Sequence, residues 1–202
     1  MIVIDNYISD KPLLAEIAKD KKFFGENGEF MWWDGWWNTR ANSIKKQLIE
    51  YIWRYNSQYE LTNLMGFEYW TGVYGEGHPQ TDLMQHFDKD ELHWDRTGGN
   101  KGGEILTPAI GTVYYPKPMD IEGGYLEIHS RGRENTPERI EAKFNRLVIF
   151  NAGEHLHRVT EVTKGVRYAI AINLWQTELK SVQEGTITVE KRAKLKDVLP
   201  TS

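Results

Sequence analysis

Val166-Arg167-Tyr168-Ala169-Ile170-Ala171-Ile172-Asn173-Leu174-Trp175 alternates two kinds of side chain with a period of two. In an extended chain residues i and i+2 project to one face, so Tyr168, Ile170, Ile172 and Leu174 share one side and Arg167, Ala169, Ala171 and Asn173 the other. One face is apolar, and on the other a cation stands beside two small residues. Runs of similar texture recur at residues 67–74, 83–86, 112–115, 124–129, 147–150 and 157–162, separated by breaks that carry Gly and Pro. That spacing predicts a mainly β protein, an antiparallel sandwich or jelly roll.

Working outward from this strand, Thr163-Lys164-Gly165 reads as a hairpin turn and His157 as the opening of the strand before it. In that register Arg167 stands about four residues along the sheet from the level of His157, roughly 13 Å at ~3.3 Å per residue. An Arg side chain and a five-carbon dicarboxylate together span such a gap, and Ala169 and Ala171 leave room. The planar guanidinium binds a carboxylate bidentately and stays charged when partly buried. Pairing with Glu161 across the hairpin is the competing structural use of Arg167.

A second stretch answers the first. In Gln85-His86-Phe87-Asp88 the imidazole of His86 and the carboxylate of Asp88 share a strand-end parity, with Phe87 on the other side. With His157 as third donor from a neighbouring strand, the set is a 2-His-1-carboxylate face with open positions, which suits Fe(II). The chain holds a second His-x-Asp, His93-Trp94-Asp95, but it lies in a charged segment, residues 91–104, that contains Gly98, Gly99, Gly102 and Gly103 and reads as a mobile loop, a candidate lid. A rigid ligand geometry is poorly supported there, so His86 and Asp88 are the favoured pair. His78, His129 and His155 read as structural or exposed.

Composition limits the alternatives. The 202 residues are 40% apolar with eight Trp, seven Phe and ten Tyr, enough for one domain with a substantial core. The absence of cysteine removes disulfides, thiolate nucleophiles and Cys-ligated clusters, so any metal is held by His and carboxylate. A net charge of −4 gives no basic field for nucleic acid. No apolar run is long enough to span a membrane and no leader is evident, which predicts a soluble, cytoplasmic protein.

The first sixty residues differ in texture. Ser9-Asp10-Lys11-Pro12 reads as a helix start leading into Leu13, Leu14, Ile17 and Ala18. Asn42 or Ser43 caps a second helix, with Ile44, Leu48, Ile49, Ile52 and Trp53 on one face and Lys45, Lys46, Glu50 and Arg54 opposite. Between them Met31-Trp32-Trp33-Asp34-Gly35-Trp36-Trp37 reads as an aromatic layer under the helices rather than a substrate lining. The expected organisation is a single unit over 1–202, with helical support at 1–60 packed on one sheet, a jelly-roll core at 61–178, and a tail at 179–202 whose basic run at 190–196 is a solvated face or short helix.

Taken together, Tyr74-Gly75-Glu76-Gly77, His86-Phe87-Asp88, Gly111-Thr112-Val113-Tyr114-Tyr115, Glu122-Gly123-Gly124-Tyr125-Leu126, His157-Arg158-Val159 and Gly165-Val166-Arg167-Tyr168 resemble, in order and over about half the chain, the Fe(II)/2-oxoglutarate-dependent dioxygenases, and among them the prolyl-4-hydroxylase-like branch. The resemblance implies a double-stranded β-helix with iron on His86, Asp88 and His157. It further implies that Arg167 and Tyr115 hold the distal carboxylate of 2-oxoglutarate and that Tyr74 lines the pocket. O2 is then the co-substrate, ascorbate an optional reductant, succinate and CO2 the products of 2-oxoglutarate, and a hydroxylated C–H bond the usual outcome. DNA-alkylation-repair members carry a further Arg where this chain has Asn173, and collagen-type prolyl hydroxylases carry Lys where it has Arg167. A peptidyl or small-molecule substrate is therefore expected, with a monomer or weak homo-oligomer acting on it. Two other classes compete: a non-catalytic jelly-roll module binding through its Trp-rich surface, and a zinc hydrolase on the same ligands, which leaves Arg167 without a task.

Overall fold

The structure, a computed structural model, describes residues 1–25, 28–54, 62–131 and 134–189; the basic run at 190–196 lies outside them. In chain order the elements are β1 (Ile2–Ile4), α1 (Lys11–Lys19), β2 (Met31–Trp33), α2 (Ile44–Arg54), β3 (Gly66–Gly75), β4 (Leu83–His86), α3 (Glu91–Thr97), β5 (Ile110–Tyr114), β6 (Glu122–Gly123), β7 (Leu126–His129), β8 (Glu138–Ile140), β9 (Leu147–Phe150), β10 (Leu156–Val159), β11 (Val162–Lys164), β12 (Val166–Trp175), α4 (Lys180–Gln183) and β13 (Thr188–Val189). The strands form a large sheet in the order β1-β9-β5-β12-β3-β2-β13 and a small one in the order β4-β10-β7-β8, with β11 and β6 paired apart from both. This mainly β, two-sheet arrangement is that of a jelly roll.

The alternation in β12 explains the layering. Ile170, Ile172 and Leu174 join Phe67 and Tyr69 of β3, Tyr114 of β5, and Leu147 and Ile149 of β9 in one buried cluster. Leu13 and Ile17 of α1 and Leu48, Ile49, Ile52 and Trp53 of α2 belong to the same cluster. Each fully buried side chain of this size contributes about 2 kcal/mol. The opposite face of β12 looks toward the small sheet, where Ala169 meets Tyr115, Leu126, Ile128 and Phe150 in a second cluster. The site lies in that inter-sheet space.

Local chemistry sets the helix ends. Asp10 accepts a hydrogen bond from the Leu13 amide at 3.1 Å and Pro12 occupies the first turn of α1, where a missing N–H costs nothing. In α2 the expected split of faces is incomplete. Lys45 and Lys46 are buried, and the Lys46 ammonium lies 5.9 Å from the Trp33 ring centroid and donates to Asn42 Oδ1 at 3.2 Å. A long aliphatic stem can cover apolar surface with its charge directed to a polar partner.

Two expectations are corrected. The segment 91–104 is not a mobile loop: Asp90 caps α3 through the His93 amide, and a single 3-10 turn at Gly99–Lys101 follows. His93 is buried there, bonded to Glu184 at 2.9 Å and Glu104 at 2.8 Å, which pins α3 against α4. Nor do residues 157–175 form one hairpin. β10 pairs with β4 and β7 in the small sheet, β11 with β6, and β12 with β3 and β5 in the large sheet. The chain changes sheets after Val159, so His157 and Arg167 sit on opposite walls. Among the described residues, no helix is long and apolar enough to cross a membrane.

Candidate metal centre and adjoining cavities

β4 and β10 run antiparallel with His86 directly opposite His157, and the register shifts between His157 and Val159. This pairing brings the two imidazoles to a ring-centroid separation of 4.3 Å. β4 ends at His86; Asp88 lies beyond it, its amide donating to the Ala152 carbonyl at 2.9 Å. Asp88 Oδ1 then stands 3.3 Å from Nε2 of His86 and 3.3 Å from Nε2 of His157. The three donor atoms all lie within 4.8 Å of one another, and among the described residues no other His or carboxylate group of three meets that condition.

The ring orientations have local causes. Nδ1 of His86 bonds the Met84 carbonyl at 2.7 Å, and Nδ1 of His157 bonds the His155 carbonyl at 2.9 Å. With Nδ1 turned to a backbone carbonyl, Nε2 is the ring atom that faces Asp88 in both cases, and it is the atom a cation would take. Burial opposes ionisation of Asp88, yet hydrogen bonds from His157 and His86 outweigh it and hold its carboxyl well below the usual range. Burial likewise works against a charged His86, and its bond to Asp88 prevails and raises its pKa. Two imidazoles, each held by a backbone carbonyl, and one carboxylate suit a divalent cation that keeps positions free for other ligands. Phe150 packs edge-on against His157 at 5.0 Å and keeps that side dry.

Across the space, Arg167 is 2% exposed. Its Nε donates to the Gly124 carbonyl at 3.0 Å and its Nη2 to Tyr115 Oη at 3.2 Å, while no salt bridge among the described residues uses it, Glu161 included. A buried guanidinium with two of its five N–H groups so engaged retains donors for an anion. The Gly123-Gly124 pair permits this fit: a Cβ on Gly124 would meet Arg167 Cδ at 3.2 Å, and one on Gly123 the Glu161 carbonyl oxygen at 2.0 Å. Tyr74 faces Arg167 at 5.7 Å, and burial raises its phenol pKa against the pull of that cation.

His86, Asp88, His157, Arg167 and Tyr74 line one narrow chamber of ≈ 50 Å³, floored by Gly72, Ala169 and Ala171. Tyr115 lies behind it, touching Arg167. An outer cleft of ≈ 390 Å³ opens from it past Trp70, lined also by Phe30, Gln80, Met84 and Phe87. None of Trp32, Trp33, Trp36 and Trp37 reaches either space; Trp33 and Trp36 stack on Phe67.

Sequence reasoning passed over Trp70, Phe30 and Glu68. Trp70 and Glu68 share the parity of Tyr74 in β3, which was the available signal, whereas Phe30 precedes a short strand and offered none. Glu68 is buried, accepting from Asn173 Nδ2 at 3.4 Å and Trp175 Nε1 at 3.3 Å. Burial first, and the charge of Asp88 second, push its pKa up to about 8.

Similarity to known proteins agrees with this geometry. The fold resembles a prolyl-4-hydroxylase from Pseudomonas putida (TM-score 0.59, 16% identity, 86% of this chain and 83% of that one). It also resembles a Trichoplax adhaerens prolyl hydroxylase in complex with a hypoxia inducible factor oxygen degradation domain peptide fragment (TM-score 0.51, 16%, 90% and 86%). A third likeness is to the viral collagen prolyl hydroxylase of Paramecium Bursaria Chlorella virus-1 in its 2OG complex (TM-score 0.50, 18%, 88% and 96%). At these identities the likeness establishes the fold. No curated protein matches the chain in sequence. The model of the 2OG-Fe(II) oxygenase superfamily matches residues 71–175, more than half of the chain and the stretch that carries Tyr74, His86, Asp88, His157 and Arg167. The chain therefore belongs to the 2OG-Fe(II) oxygenase superfamily, oxidoreductases that work with Fe(II), 2-oxoglutarate and O2.

Proposed function

We propose that residues 1–202 act as one unit that hydroxylates a C–H bond, with Fe(II) on His86, Asp88 and His157 and 2-oxoglutarate anchored by Arg167 and Tyr115 in the pocket lined by Tyr74. The observation that carries this reading is the pairing of two features in one chamber: three convergent donor atoms on one wall and, on the other, a buried cation that has no acidic partner among the described residues. When bound, such an iron supplies the O2 activation that couples decarboxylation of 2-oxoglutarate, giving succinate and CO2, to hydroxylation of the substrate.

The chain's own residues do the rest. His86 and His157 keep their Nδ1 protons on backbone carbonyls and present lone pairs at Nε2. Asp88 stays ionised and lowers the cost of a dication in a buried space. Arg167 neutralises the distal carboxylate, and Tyr115, whose oxygen already accepts from Arg167, has its own O–H free to donate to the same carboxylate. Ala169, Ala171 and Gly72 leave room for the carbon chain between the two ends, and Leu126, Val159 and Phe150 exclude water. A peptidyl substrate is favoured over a small molecule because one structure of like fold holds a peptide fragment.

The test is an anaerobic titration of the metal-free protein with Fe(II) and 2-oxoglutarate. A visible charge-transfer band of the chelate is expected, lost in Asp88→Ala, and admission of O2 should yield succinate. Activity without O2, or no band in the wild type, would reject the reading.

A further inference from the structure

We propose that Trp70 is a specificity-determining residue and that the outer cleft takes an uncharged, apolar group of the substrate. The inference rests on the function proposed above and names the substrate class for that same site. Trp70 borders both spaces, the chamber with Arg167 and the outer cleft. It is paired in register with Ala171, which lines the inner chamber, so a large ring stands beside a methyl group on the way from one space to the other. Phe30 packs edge-on against it, centroids 5.2 Å apart, which limits how far the indole can swing.

The charges of the cleft are already spent. Among the described residues its acidic and basic lining groups are His86, Asp88, Lys89 and Glu91, and Tyr74 adds a phenol. The first two belong to the donor set, and Lys89 is bonded to Glu91 at 2.6 Å with its ammonium 4.1 Å from the Trp94 ring. Among the described residues a charged substrate group would find no unengaged counter-ion there, at the cost that attends an unpaired charge drawn out of water. Apolar surface, by contrast, is offered openly: Met84 is 82% and Phe87 40% exposed at the rim, beside half-buried Leu83 and Phe30. Large apolar side chains left in water at the mouth of a reactive cavity mark a contact surface.

The experiment loads the protein with Fe(II) and 2-oxoglutarate and measures succinate formed with each of four probes: N-acetyl-L-prolinamide, N-acetyl-L-leucinamide, and the N-acetyl amides of aspartate and lysine. The uncharged pair should raise succinate formation at least fivefold over the rate without probe, and the charged pair should not. Trp70→Ala should lose at least tenfold of that stimulation and Trp70→Phe should retain most of it. Phe144→Ser, which alters an exposed apolar side chain outside the cleft, should match the wild type. Stimulation by the charged probes alone, by no probe, or equally in Trp70→Ala overturns the inference. A wild-type protein without the chelate band overturns instead the function on which it rests.

Discussion

The two walls of the cavity are built differently. His86 and His157 come from strands of four residues each, in a small sheet whose edge is β4 and whose register slips beside the two imidazoles. Arg167, Trp70 and Glu68 come from two ten-residue strands at the centre of the large sheet, paired to each other over their full length. Precision on the first wall comes from single bonds: each imidazole is fixed by the carbonyl two residues before it. On the second it comes from the lattice of the sheet. Short, edge-held elements open more readily than central ones, so the histidine wall is the softer of the two.

Breaking the soft wall should have the largest effect. His157→Ala or His86→Ala is expected to abolish the Fe(II) and 2-oxoglutarate band altogether. Only His157→Ala should also destabilise the metal-free protein appreciably, because His157 is nearly buried and His86 about a quarter exposed. Thermal melts of the two variants check this; equal losses would remove the proposed difference.

On the rigid wall, Glu68 gives a pH dependence whose sign is fixed. Its folded pKa is about 8 against an ordinary 4.5, so between those values the folded protein holds a proton that the unfolded chain has released. Stability therefore falls as pH rises from about 4.5 to about 8. Glu68→Gln keeps an acceptor for Asn173 and Trp175 but cannot ionise. It should remove that fall, a gain on the order of a few kcal/mol at pH 8.5 relative to pH 5, read from urea unfolding of the metal-free protein. A slope unchanged by the substitution would show that Glu68 is ionised in the fold.

Arg167→Ala should weaken 2-oxoglutarate by about 100-fold, about 2.7 kcal/mol, while Fe(II) binding alone changes little. Arg167→Lys should recover only part, since an ammonium cannot reproduce the bonds to both Gly124 and Tyr115. Smallest of all, Gly124→Ala should cost about 1 kcal/mol in stability and a few-fold in 2-oxoglutarate affinity. Gly124 has φ +66°, and the added methyl would press on Arg167. Isothermal titration with each ligand separates these effects.

The rigid wall was also the more legible in the sequence. The strict alternation of 166–175 gave β12 to the residue, and 83–86 and 147–150 gave β4 and β9 equally well. Period-two patterns report a strand and its faces, and so the common orientation of Arg167, Ala169 and Ala171. They do not report which sheet a strand joins, and the passage from β10 to β12 was missed because Thr163-Lys164-Gly165 has the composition of a hairpin turn. α3 was hidden by its neighbours: four glycines between 98 and 103 outweighed the helix signal of Asp90 and Glu91. Glu68 was passed over and Lys46 placed on a polar face for a common reason, since burial of an ionisable residue depends on partners distant in sequence, Asn173 and Trp175 for one and Trp33 for the other.

The change of sheets between Val159 and Val166 has a consequence for evolution. Nine residues lie between His157 and Arg167, and each of the two is held by its own sheet. The connection can therefore change in length between related chains while the gap between the two walls, set by how the sheets pack, stays as it is.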